Sequence, residues 1–109
     1  MQAVNKTSQI QLKSKLFRGF GDASRLLIIE TLRDDGPKSV SEIVAASGLT
    51  QPNVSNHLAC LRECGLLSAE QNGKYVCYKI ADPRVSIILE HAEALLNECD
   101  ADITNCTRY

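Results

Sequence analysis

The sequence predicts a mainly α-helical domain with a small β-hairpin, in the order α-α-α-α-β-β-α, and three observations support this fold class. Apolar residues recur at helical spacing in five segments, which favours five helices. An Asn-Gly pair at 72–73 separates two short extended segments, which is the pattern of a hairpin. The length of 109 residues, with 44% apolar and 23% charged residues, is typical of one small globular domain. We therefore expect a single domain over residues 1–109.

The first two helices are predicted at 10–20 and 23–32. The first is amphipathic, with its apolar residues at helical spacing among Lys and Gln. Gly21 ends it and Asp22 can cap the second, which is apolar around most of its surface and should be the central buried helix. Residues 34–37 have the composition of a turn.

Two short helices with a tight connection follow. Ser39 and Glu42 fit a capping box at the start of the first, which ends at a glycine. The second begins almost at once, because Thr50 can cap it and Pro52 is tolerated in its first turn. With three residues between them, the pair over 39–64 is predicted to form a helix-turn-helix.

The next segment, residues 66–80, predicts a hairpin, in which Val76, Tyr78 and Ile80 alternate as in a half-buried strand. A helix-turn-helix followed directly by a hairpin is a winged helix-turn-helix. Its second helix enters the major groove of DNA, and the hairpin, or wing, lies along the backbone or the minor groove. A helix at 83–99 and a polar tail at 100–109 close the chain.

The polar face of the second helix of the helix-turn-helix has the chemistry to read DNA. Gln and Asn can bond adenine edges, and Ser or Thr can bond bases or phosphates. The candidates here are Thr50, Gln51, Asn53, Ser55, Asn56 and His57. Lys74 at the wing tip, with Arg18 or Arg25, is suited to phosphate contacts. The alternative is a solvated helix face, and for His57 a half-buried place beside the core.

Charge is unevenly distributed, although the net charge is only −1. Residues 1–33 carry six Lys or Arg and two acidic residues, whereas residues 80–109 carry two Arg and six acidic residues. Such asymmetry is compatible with a basic face toward phosphates and an acidic end turned away. No signal peptide or membrane span is recognisable, which predicts a cytoplasmic protein with no membrane partner.

Four motifs carry a resemblance to a known family. They are Gly-Asp-Ala-Ser-Arg-Leu at 21–26, Leu-Thr-Gln-Pro-Asn-Val-Ser-Asn-His-Leu at 49–58, Gly-Leu-Leu at 65–67 and Asn-Gly-Lys-Tyr-Val-Cys-Tyr at 72–78. Together they resemble the ArsR/SmtB family of bacterial winged-helix repressors, over about residues 12–98. The resemblance implies a homodimer, paired through its first and last helices, that represses an efflux or detoxification operon and releases double-stranded operator DNA when an inducer binds. The apolar stripe of the last helix is independently consistent with a partner helix.

Five cysteines without a secretion signal favour reduced thiols over a disulfide framework. Two sensing patterns of the family are not matched. The first helix of the helix-turn-helix lacks a Cys-x-Cys pair, and Arg84 and Leu95 stand where the zinc pattern of the last helix needs histidines. His91 is then a helix-surface or interface residue.

Cys60 and Cys64, one helical turn apart, have the spacing for chelation, since Cβ atoms lie about 5–6 Å apart at this separation and metal-bound thiolates roughly 4 Å apart. The alternative is two small residues bordering the core.

Residues 53–66 resemble the cadmium- and lead-sensing members of the family, which implies a third thiolate from the C-terminal region of the other subunit. Cys106 in the polar tail fits this role, and Cys99 is its rival, although packing explains Cys99 better. Cys77 is structural or incidental. Three thiolates favour soft ions. We therefore expect Cys60, Cys64 and Cys106 to bind Cd(II) or Pb(II), with Zn(II) or As(III) as alternatives and no organic cofactor.

These features predict a repressor that binds its operator in the apo form and releases it when a soft ion binds. One alternative is a thiol redox or As(III) sensor of the same fold. Another is a winged-helix protein-interaction module with no operator. An enzyme is not expected, because the sequence has no glycine-rich phosphate loop and no recognisable nucleophile–base arrangement.

Overall fold

The computed structural model describes residues 5–107, which contain five helices and three short strands. The helices are α1 Lys6–Phe20, α2 Ala23–Asp35, α3 Val40–Ser47, α4 Gln51–Glu63 and α5 Pro83–Asn105. The strands are β1 Lys38–Ser39, β2 Leu67–Asn72 and β3 Tyr75–Ile80. The predicted winged helix-turn-helix is confirmed, with α3 and α4 as the helix-turn-helix and β2 and β3 as the wing. None of the described helices is long and apolar enough to cross a membrane.

The helix starts follow the capping residues in the sequence. The Asp22 carboxylate accepts the N–H of Arg25 at the start of α2. The Ser39 N–H donates to the Glu42 carboxylate at 2.9 Å, and the Glu42 N–H donates back to the Ser39 hydroxyl, which completes the predicted capping box of α3. At the start of α4 the Thr50 hydroxyl accepts the N–H of Asn53. These caps satisfy N–H groups that lack partners inside the helices.

The core lies between α2 and the helix-turn-helix, with α5 covering one side. Ile28 and Ile29 of α2 are fully buried, which confirms that α2 is the central helix. The buried apolar side chains are Ile28, Ile29, Leu32, Ile43, Val54, Leu58, Leu61, Leu66, Leu67, Val85 and Leu89. Burial of three α4 residues among them determines which face of α4 remains in solvent.

The helices extend beyond their predicted ends. α1 begins at Lys6, capped by Asn5, four residues before the predicted start. α2 runs through the predicted turn to Asp35 and ends at Gly36, whose positive φ of 85° favours glycine. α5 continues to Asn105 past a non-helical residue, Cys99, so that much of the expected polar tail is helical.

The sheet differs from the prediction in two respects. The two-residue strand β1 was not predicted, and it pairs antiparallel with β3 to give the strand order β1-β3-β2. The hairpin loop consists of Gly73 and Lys74 rather than Asn72 and Gly73, because Asn72 pairs with Tyr75. Gly73 has a φ of 63°, and a glycine with positive φ at the first loop position suits a two-residue hairpin.

Candidate nucleic-acid interface and thiol site

The exposed face of α4 begins at its N-terminus. Val54 and Leu58 are buried, so the opposite side of the helix faces solvent. Gln51, Asn53 and Asn56 are exposed there, together with the capping residue Thr50, while Ser55 is half-buried. The Gln51 amide donates to the Ser55 hydroxyl at 3.2 Å. Most of the predicted base-reading residues therefore share one accessible polar surface.

His57 lies in a different environment from the other candidates on α4. It is half-buried, and its Nε2 atom is 3.9 Å from the carboxylate of Asp22. This distance is too long for a hydrogen bond but close enough for electrostatic attraction when the imidazole is protonated. His57 is therefore half-buried, as its alternative interpretation expected, and it faces the start of α2.

The wing tip and the start of α4 border one groove. Lys74 is exposed in the hairpin loop, and Tyr75 beside it is 63% exposed. Both line an open cavity of about 330 Å³ together with Gln51 and Ser41. Lys74 therefore lies on the same side of the molecule as the start of α4, as a phosphate contact beside the base-reading surface requires.

Arg25, one of the two cations suggested to assist Lys74, is engaged within the protein. Its guanidinium donates to the carbonyl oxygens of Gly19 at 3.3 Å and Arg18 at 2.7 Å. These carbonyls lie at the C-terminal end of α1, where they lack partners inside the helix. Arg25 thereby fixes the angle between α1 and α2, while Arg18 remains exposed.

Cys60 and Cys64 are brought together at the C-terminal end of α4. Both are exposed, and they lie one helical turn apart on the same side of α4. Partial removal from water raises the pKa of the Cys64 thiol above its usual value; Cys60 adds to this effect, and the positive charge of Lys15 opposes it. The two thiols therefore lie side by side, as the helical spacing predicted, and the environment of Cys64 favours its neutral form.

A cleft of about 440 Å³ separates the thiol pair from α1. Its lining residues are Leu12, Lys15, Leu16, Gly19, Cys60, Glu63, Cys64 and Leu66. The sequence analysis did not predict that α1 contributes to this cleft, because the contribution depends on packing between distant segments. A Cβ atom at Gly19 would lie 3.0 Å from the Leu66 side chain, so glycine allows the close approach of α1.

The other three cysteines lie elsewhere. Cys77 is half-buried on β3 and pairs with Ser39 across the sheet, Cys99 is half-buried at the irregular point of α5, and Cys106 is exposed at its end. Within residues 5–107 of one protomer, no group of three His, Cys, Asp or Glu side chains could hold a metal ion. The described residues of one protomer therefore offer the thiol pair no third His, Cys, Asp or Glu ligand.

Residues 22–69, from the cap of α2 into the wing, match the model of a family of bacterial regulatory proteins, the arsR family. A probable mercury resistance operon repressor from Streptomyces lividans is 36% identical over 95 residues, which cover 87% of this chain and 75% of that protein. The transcriptional regulator CmtR from Mycobacterium bovis is 37% identical over 89 residues, which cover 82% of this chain and 75% of that protein. The protein belongs to the arsR family.

Solved structures agree with this assignment. The NMR structure of the cadmium sensor CmtR from Mycobacterium tuberculosis aligns with a TM-score of 0.63 and 40% identity, and the alignment covers 72% of this chain and 80% of that one. A homodimeric winged helix-turn-helix domain from Mycobacterium bovis, 23% identical, shares the fold with a TM-score of 0.78 over 90% of each chain. Membership in the arsR family confirms the expectation of a helix-turn-helix transcription regulator rather than an enzyme.

Proposed function

We propose that this arsR-family protein is a homodimeric repressor that binds operator DNA in the apo form and releases it when Cd(II) or Pb(II) binds Cys60, Cys64 and Cys106. The thiol pair on the proposed DNA-reading helix carries the proposal, since ligation there acts directly on the element that would touch DNA. The names of the relatives, which refer to mercury and cadmium, support a soft ion as the inducer.

The exposed surface of α4 is the proposed base-reading element, and Lys74 the proposed phosphate contact. Short polar side chains near the N-terminus of α4 suit the donor and acceptor pattern of the major groove. The regulator would then act in the cytoplasm, where operator DNA is accessible.

Apolar surface on α1 and α5 supports the dimer. Ile10 and Phe17 share one face of α1, 51% and 62% exposed, and Leu95 on α5 is 59% exposed. A small protein that leaves such residues in water gains stability by covering them with a second copy. The opposite face of α1, with Leu12 and Leu16, borders the thiol cleft instead.

The proposed dimer explains how a metal ion would release DNA. The two α4 helices must be spaced to enter successive major grooves, about 34 Å apart. A metal ion that joins Cys60 and Cys64 of one protomer to Cys106 of the other fixes α4 relative to the partner's α5 and disfavours that spacing. The coupling free energy is typically about 1–3 kcal/mol, and DNA weakens metal binding by the same factor.

An anaerobic titration tests the proposal. Cadmium is added to the full-length protein while thiolate charge-transfer absorption and the fluorescence anisotropy of labelled operator are recorded. We expect Cys60→Ser and Cys64→Ser to abolish both responses, Cys106→Ser to reduce them and the control Cys77→Ser to keep them. Unchanged operator affinity after cadmium uptake, or uptake that leaves Cys60 and Cys64 open to alkylation, would contradict the proposal.

A further inference from the structure

An apolar cavity of about 180 Å³ lies between α1, α2 and α5, and it shares no lining residue with the thiol cleft. Phe17 and Phe20 of α1 line it together with Leu26 of α2 and apolar side chains of α5. All its lining residues are apolar except two glutamates, Glu30 and Glu93. Neither the base-reading surface nor the thiol pair uses this cavity, so its chemistry needs a separate explanation.

The cavity has the volume of one aromatic ring with a small attached group. An apolar protein cavity of about 150 Å³ holds a single benzene molecule. Phe17 is 62% exposed and Leu96 42% exposed, so the cavity opens to solvent beside them. A ligand of this size that covered both side chains would remove their apolar surface from water, which favours binding.

Glu30 brings an unpaired charge to the wall of this cavity. Its side chain is half-buried, and residues 5–107 supply it with no hydrogen bond and no ion pair. Arg33, three residues later on α2, donates instead to Glu93 and to Asp34, each at 2.9 Å. A carboxylate partly removed from water is costly unless a positive charge meets it. A cation is therefore the complementary ligand.

The aromatic part of the wall favours the same charge. The faces of the Phe17 and Phe20 rings are negative in their quadrupole, and aromatic rings bind quaternary ammonium groups in this way. Arg33 does not oppose a cation strongly, because two carboxylates already surround its guanidinium. The cavity thus combines an apolar volume, aromatic rings and one uncompensated negative charge.

We propose that the cavity between α1, α2 and α5 binds a small aromatic quaternary ammonium cation, with its ring among the apolar side chains and its charged head beside Glu30. A quaternary head suits this wall better than a primary ammonium group, which is strongly hydrated. The site uses neither the thiol pair nor Cys106, so it stands or falls separately from the proposed metal response.

The cavity opens on the surface that we propose meets a second copy of the chain, since Phe17 belongs to both. A dimer that covered Phe17 would enclose a ligand already held between the three helices of one protomer. The competing occupant is a side chain of the second copy. The two occupants are distinguishable, because a side chain from the second copy would displace the ligand as the protein dimerises.

The probes for the test are phenyltrimethylammonium and tert-butylbenzene, which have the same shape and differ in charge. Each is titrated into the full-length reduced protein, and binding is followed by the NMR shifts of the methyl groups of Leu26, Ile88 and Leu89, which line the cavity. We expect Glu30→Gln to lower the affinity for the cation about tenfold and to leave that for tert-butylbenzene unchanged. Glu90→Gln, which removes an exposed charge outside the cavity wall, should bind both probes as the wild type does.

Ala92→Leu tests whether the probes occupy the cavity itself. Ala92 lines the cavity and is exposed, so a larger side chain there fills volume without entering the core. We expect it to weaken both probes about tenfold. Equal losses of both probes in Glu30→Gln, or undiminished binding in Ala92→Leu, would overturn the inference.

Two further measurements separate this site from its alternatives. Affinity for the cation that falls as rising protein concentration drives dimerisation would show that a second copy fills the cavity, and would also overturn the inference. Cys60→Ser should bind the cation as the wild type does. Cadmium that binds without releasing DNA would overturn the proposed metal response alone.

Discussion

The imidazole Nε2 of His57 lies 3.9 Å from the carboxylate of Asp22, and this contact joins α4 to the start of α2. The same carboxylate accepts the N–H of Arg25 at 3.0 Å, so one side chain caps α2 and faces the proposed recognition helix. The sequence suggested separate roles for these two residues, base reading for His57 and capping for Asp22. Their proximity indicates that His57 positions α4 against the central helix.

The first prediction contrasts His57 with its exposed neighbour Asn56. We expect His57→Ala to weaken binding to operator and to unrelated DNA by similar factors, because it alters the placement of α4. Asn56→Ala should weaken operator binding about tenfold or more and spare unrelated DNA, since a lost base contact costs about 1–3 kcal/mol of discrimination. Fluorescence anisotropy at one salt concentration measures the affinity of each variant for operator and for unrelated DNA. Equal losses on both DNAs for Asn56→Ala would exclude a base contact.

The second prediction concerns the salt dependence contributed by the wing. Lys74 is exposed in the hairpin loop, whereas Lys79 lies 3.4 Å from the carboxylate of Glu70. Each phosphate contact adds about 0.9 to the slope of log affinity against log salt concentration. We expect Lys74→Ala to reduce the slope by about this amount per protomer and Lys79→Ala to reduce it less. Identical slopes for wild type and Lys74→Ala would mean that the wing tip does not touch phosphate.

The third prediction concerns the attachment of α5. The Arg33 guanidinium donates two hydrogen bonds to the Glu93 carboxylate, at 2.9 and 3.0 Å, and so ties α5 to α2. We expect Glu93→Gln to lower the free energy of unfolding by about 0.5–1 kcal/mol, the usual range for a well-formed surface pair. It should also weaken dimerisation through α5, measured by sedimentation equilibrium. Arg84→Gln is the control, because its partner Asp82 lies only two residues away; an equal effect of both variants would contradict the proposed role.

Much of the fold could be predicted because its signals are local. The capping box of Ser39 and Glu42 and the cap at Thr50 each involve residues three apart, so the sequence alone shows them. Strand β1 has no such signal: its two residues become a strand only by pairing with β3, as Lys38 does with Tyr78. The hairpin loop was displaced by one residue for the same reason, since cross-strand pairing sets the register.

The candidate site could likewise be predicted only where it depends on local geometry. The thiols of Cys60 and Cys64 meet because helical geometry alone brings residues four apart onto one side. The leucines of α1 that line the cleft beside them depend on the close approach of Gly19 to Leu66, a contact between residues more than forty positions apart, which becomes evident only once the packing is known. The half-buried place of His57 likewise depends on the position of Asp22 in a different helix.

The fourth prediction is a pH dependence of stability at Asp22. The N–H of Arg25 lowers the pKa of this carboxyl below its usual value, with help from the charges of Arg25 and His57. A carboxyl whose pKa is lower in the folded state stabilises the protein fully above its unfolded pKa of about 3.9, and this contribution is lost as the pH falls through the folded value.

Asp22→Asn keeps a capping side chain but removes the charge. We expect Asp22→Asn to lower the midpoint of urea unfolding at pH 7 and to approach the wild type at acid pH, as the pH falls through the lowered pKa of Asp22 and the carboxyl becomes protonated. Asp22→Ala, which also removes the cap, should be less stable than both proteins at either pH. A difference between wild type and Asp22→Asn that did not shrink toward pH 3 would show that the charge of Asp22 is not what stabilises this junction.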